Sequence, residues 1–174
     1  MPLMLTRQTT KPLFDYDIKF VAIELANRSR FDCGSYQPHG VPAYRRYSIA
    51  QHVVAVSLYQ ELIGAAVSVQ RWALHSEDQY AYATQEDFNG LDYHQRLTAE
   101  AIPLKPVWPP PASLHLHNMV VTATEALFFD LPLDPVVFKG VEADPRLLFA
   151  IKPLEPDRAR VLYLQRHKEL WKYV

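Results

Sequence analysis

A chain of 174 residues and 20.0 kDa holds one globular domain, and 49% apolar against 21% charged residues supplies a core and excludes a disordered polymer. Eighteen basic against nineteen acidic residues leave a formal net charge of −1, so there is no global field for nucleic acid or acidic lipid, and no specific nucleic-acid binding is expected. The single cysteine, Cys33, excludes an internal disulfide framework and a thiolate zinc site.

No run of about 18 apolar residues is present, and MPLMLTRQTT lacks the apolar stretch of a signal peptide, so a cytoplasmic protein without membrane attachment is expected. In residues 17–28, DIKFVAIELANR, the positions Ile18, Val21, Ala22, Leu25 and Ala26 recur at helical spacing and predict a helix capped by Asp15 or Asp17. A turn-rich loop follows, NRSRFDCGSYQPHGVPAYRR, in which Arg28, Arg30, Arg45 and Arg46 alternate with Phe31, Tyr36, Tyr44 and Tyr47. This is the strongest basic patch of the chain. Ser48 reads as the N-cap of a helix through about Ile63, with Ile49, Val53, Val56, Leu58, Tyr59 and Leu62 as its buried stripe, His52 one turn in, and Gly64 as its stop.

From Ala65 to about Tyr82 the composition is again helical, interrupted by the polar HSEDQ. Leu91–Ile102 predicts a further helix, ended by PLKPVWPPP, because proline removes a donor and clashes with the preceding turn. Ser113 is the expected cap of LHLHNMVVTATEALFFD. The last helix starts with Pro156 in its first turn, turns Val161, Leu162, Leu164, Leu170 and Trp171 inward, and keeps Arg158, Arg160, Arg166, His167 and Lys168 on a solvated face. Five or six helices with little strand make an all-α fold.

Two histidines stand where chemistry would use them: His52 near the start of one helix and His75 on the next. Metal sites in helical bundles are assembled from facing helices in this way, and a pair of hydrogen-bonded core histidines satisfies the same pattern. Cys33 in a polar loop, with no strand-to-helix elbow, reads as a bystander thiol.

The ordered segments NRSRF (27–31), YSIAQH (47–52), ALHSEDQYAY (73–82), NMVVTATEA (118–126) and the closing stretch from Pro156 to Leu170 resemble the HD-domain phosphohydrolases of the short YfbR-like, nucleotide-hydrolase type. The resemblance implies an HD-domain helical fold of about five to seven helices in a single domain over 1–174, and a homo-oligomer. In that family a divalent metal is held by positions that fall here on His52, His75, Ser76 and Asn118, and the acid that activates water falls on Gln79. Three family carboxylates are thus replaced by Ser, Gln and Asn. Two imidazoles alone are a poor cage for a divalent ion, and the proton acceptor is lost with the acids. The resemblance also places Arg30 and Phe31 beside the phosphate and sugar of the ligand, with Arg28, Arg45 and Arg46 close in sequence, and reads Glu125 as a structural carboxylate paired with an arginine.

Two functions follow. One is a non-hydrolytic protein that binds a nucleotide or phosphate ester, or acts through protein contacts, and needs no cofactor. The other is an active phosphohydrolase in which His52 and His75, with Glu77 and His115 as replacements, hold Mn, Co, Zn or Mg, and Glu77 serves as the acid. Glu77 follows His75 by two residues, about 200° around an ideal helix, so that site requires a local irregularity.

Overall fold

Helix α1 runs from Lys11 to Ala26, α2 from Ile49 to Leu62, α3 from Val67 to Leu74 and α4 from Ala112 to Phe129. A 3₁₀ helix, Pro145–Ala150, and the closing helix α5, Pro156–Trp171, complete the order. The computed structural model describes residues 11–31, 47–75 and 112–172, except for the side chains of 11–17 and 20. Among the described residues the elements are helical, joined by turns and one isolated antiparallel bridge between Ser29 and Ser48, which makes the fold all-α. No helix among them is long and apolar enough to cross a membrane.

Helix α2 is the central element and touches α1, α3, α4, α5 and the 3₁₀ helix. Its residues Ala50 to Ser57, with Tyr59 and Gln60, are all buried, the pattern of a helix enclosed on nearly every side. One core cluster joins Ile18, Val56, Tyr59, Trp72, Leu114, Val121 and Leu147. A second joins Val21, Leu25, Val53, Leu74, Ala159, Tyr163 and Leu170. The five-residue stripe expected on α1 is buried throughout, because it faces α2 and α5.

Several local expectations are corrected. Asp15 and Asp17 lie within α1, which begins at Lys11, and therefore do not cap it. Leu62 closes α2 at the surface, 38% exposed, beside the turn where Gly64 takes a φ of 78°. Ser113 is inside α4, since that helix already includes Ala112. On α5 the inward stripe is Ala159, Tyr163, Arg166, His167 and Leu170, whereas Val161 is exposed. Arg166 and His167 thus leave the solvated face assigned to them. Arg166 is buried at low cost because Ser57 Oγ and Gln70 Oε1 each accept from it at 3.0 Å and Glu61 pairs with it at 2.8 Å. The expected helix at Leu91–Ile102 lies outside the described residues.

Candidate polar site around His52

The start of α2 fixes the site. Ser48 caps the helix reciprocally with Gln51: its hydroxyl accepts from the Gln51 amide at 3.3 Å, and the Gln51 side chain accepts from the Ser48 amide at 3.1 Å. Two further main-chain bonds, Arg30 N–H to Tyr47 O at 2.8 Å and Ile49 N–H to Arg28 O at 2.9 Å, tie the Arg30–Phe31 segment to this cap. Helix α4 brings in Asn118, Thr122 and Glu125, whose i, i+4, i+7 spacing puts them on one face.

His52 and Glu125 are fully buried and hydrogen-bond through Nδ1 and Oε1. Asn118 Oδ1 stands 2.9 Å from His52 Nε2. Arg30 Nε approaches Glu125 Oε2 at 3.9 Å, and its Nη2 donates to Thr122 Oγ1 at 3.1 Å. Thr122 in turn donates to the Asn118 carbonyl at 2.9 Å. The arginine expected beside Glu125 is therefore Arg30.

The Glu125 contact sets the role of Nδ1 and leaves that of Nε2 open. A carboxylate accepts only, so the His52 Nδ1–H donates to Glu125. A neutral ring then accepts at Nε2 from the amide NH₂ of Asn118, and a charged ring donates to its oxygen; a half-turn of the amide serves either state. Tyr47, fully buried over the carboxylate, has its phenol held well above the usual range, first by burial and then by the negative charge of Glu125, with Arg30 opposing. Its ring sits 5.4 Å from Phe129 and 6.3 Å from Phe31. Phe31, half-buried, also meets Phe129 edge-on at 6.1 Å.

His75 packs against side chains of α5. It follows the last residue of α3 and is fully buried. The Tyr163 hydroxyl lies 3.3 Å from its Nδ1, and the rings of His167 and Trp171 stand edge-on at 5.8 and 5.3 Å. Burial, followed by the charges of His75 and Arg71, pushes the His167 imidazole down to about 3, so it is neutral at physiological pH.

Of the other candidates, Arg28 and His115 are described. Arg28 is exposed and pairs with Glu24 across one helical turn at 3.4 Å. His115 is exposed, one turn before Asn118. Arg45, Arg46, Ser76, Glu77 and Gln79 lie outside the described residues. Among the described residues no three His, Cys, Asp or Glu side chains gather as metal ligands. Among the described residues the donors at His52 Nε2 are one imidazole and one neutral amide, which do not match the anionic oxygen ligands a hard divalent ion takes. A cleft of about 400 Å³ opens on another face, between Tyr59, His117, Val120 and the 140–145 loop, and contains none of these residues.

Sequence reasoning missed Thr122, Tyr163 and His167. The last two carried a signal, because 159, 163, 166, 167 and 170 recur at helical spacing, with polar side chains obscuring the stripe. Comparison with protein-family models, with curated proteins and with solved structures finds no match for this chain.

Proposed function

We propose that this chain is a degenerate relative of the HD-domain phosphohydrolases that binds a nucleotide or similar phosphate ester without hydrolysing it. The observation that carries this reading is the commitment of both His52 ring nitrogens to protein partners, with the amide of Asn118 at Nε2. Among the described residues the group at Nε2 is this neutral amide, which does not take a proton from water. Arg30 supplies the binding element. It is 26% exposed and oriented by Glu125 and Thr122, which preorganises a planar donor group for a phosphate oxygen pair. Phe31 provides an apolar ring beside it, and Arg28, Arg45 and Arg46 are close to them in sequence.

A second reading is favoured by the Glu125–His52 bond. A carboxylate on Nδ1 is the support that metal-bound histidines commonly have, and it leaves Nε2 as the coordinating atom. In that reading His52 and His75, with Glu77 or His115, hold a divalent ion, and the chain is an active nucleotide phosphohydrolase. Calorimetric titration with nucleoside mono-, di- and triphosphates, with and without chelator, tests both. Binding that survives chelator, disappears in Arg30→Ala and releases no phosphate supports the first. Chelator-sensitive phosphate release supports the second and overturns the first.

A further inference from the structure

We propose that the Trp171 side chain, at the end of α5, is a lid over His75, with Arg71 as its catch. Three α5 side chains surround the imidazole: Tyr163 at its Nδ1, and His167 and Trp171 against its ring. They differ in how they are held. Tyr163 is fully buried in the core cluster shared with α1 and α2, and Arg166, one position before His167, is clamped by Ser57, Gln70 and Glu61.

Leu170 is seated in the same core cluster, whereas Trp171 is only partly buried at its edge. Trp171 is stacked on His167, 4.3 Å between ring centroids and 24° from parallel, and lies under the Arg71 guanidinium at 4.9 Å. The same guanidinium donates twice to the Leu170 carbonyl, at 3.0 and 2.7 Å. One side chain of α3 thus satisfies a carbonyl at the end of α5, covers the tryptophan and sits four residues before His75. A cation at a helix C-terminus is favoured by the helix dipole as well. Helix ends open locally at far lower free energy than the core, so releasing Arg71 lets the partly buried Trp171 ring swing away and opens this side of His75, while Arg166 and Leu170 keep α5 docked. The lid controls which molecules reach this imidazole, and it stands apart from the phosphate-ester reading, which concerns Arg30.

The test is residue-resolved modification of the full chain by diethyl pyrocarbonate, followed by peptide mass mapping. Exposed His115 is the reactive standard, and His52, equally buried and held by Glu125 and Asn118 of α4, is the control. Arg71→Ala removes two hydrogen bonds and a cation–π contact, so the His75 rate should rise by about tenfold while His52 stays protected. Trp171→Leu removes the cover itself and should act in the same direction, which keeps the test valid if Arg71→Ala does not fold. An unchanged His75 rate in the folded variants overturns the proposal. A parallel rise at His75 and His52 also overturns it, because the imidazole is then uncovered by global opening.

Discussion

His52 and Glu125, 73 residues apart in sequence, meet with neither side chain exposed, so a carboxylate at the centre of the fold depends on an imidazole from α2 and a guanidinium 3.9 Å away from the segment before it. Burying a carboxylate is tolerable only with such partners, and removing one member leaves the others desolvated. Glu125→Ala is expected to destabilise the chain by about 3–5 kcal/mol. Glu125→Gln keeps the volume and an acceptor and should cost less. Urea unfolding followed by circular dichroism measures both. A cost for Glu125→Ala below about 1 kcal/mol would mean that the trio contributes no more than a surface pair.

The capping box makes a smaller and cleaner prediction. Ser48→Ala removes the acceptor for the Gln51 amide at the start of α2 and should cost about 1 kcal/mol. Gln51→Ala should cost more, because that side chain also donates to the Lys152 carbonyl just before α5. The order of the two midpoints in a denaturant titration checks the assignment.

Local chemistry was legible where one residue type has one use. Ser48 as a cap, Gly64 as a stop and Pro156 in the first turn of α5 all stand where propensity puts them. The α1 stripe was equally readable, because apolar spacing and burial coincide there. Legibility failed on α5, where Arg166 and His167 are buried through partners on α2 and α3 that no periodicity in α5 can reveal. Within the site, an arginine partner for Glu125 was readable from the resemblance, whereas its identity as Arg30 and the step from Glu125 to His52 join residues of different segments and need the fold.

Helix α4 ends with Asp130 at a φ of 53°, where Leu131 N–H reaches back to Ala126 O at 2.9 Å and closes the C-terminus. An L-residue with a Cβ is strained in that region, although aspartate tolerates it better than most. Asp130→Gly is expected to stabilise by about 0.5 kcal/mol, and Asp130→Val to destabilise by about 1–2 kcal/mol. Thermal melts of the two variants should therefore move in opposite directions.

Acid lability should report on His167. Its folded pKa is held near 3, below the value of an exposed histidine, so the unfolded chain takes up a proton that the folded chain refuses. The contribution is fully present above about pH 6.5 and is lost as pH falls from there toward 3, at about 1.4 kcal/mol per pH unit from this group alone. His167→Gln removes that slope. Stability measured at pH 7 and pH 4.5 should converge in the variant relative to the parent; equal pH dependence in both would place the acid sensitivity elsewhere.

Restoring the carboxylates tests what separates this chain from the family it resembles. Asn118 Oδ1 already stands 2.9 Å from His52 Nε2, so Asn118→Asp replaces a neutral oxygen with an anionic one at the same place and does not alter the volume. A carboxylate beside Nε2 binds a divalent ion jointly with the ring, which Glu125 already orients from behind. Paired with Ser76→Asp, the variant is expected to retain roughly one Mn²⁺, Co²⁺ or Zn²⁺ per chain after desalting, read by elemental mass spectrometry. The unaltered chain treated alike is the reference. If the double variant folds and holds no ion, then Asn118 is not at a metal position, and His52 with Glu125 is a core hydrogen bond alone. If it gains an ion and still releases no phosphate from nucleotides, what it lacks is a proton acceptor, and Gln79→Glu on that background is the change expected to add hydrolysis.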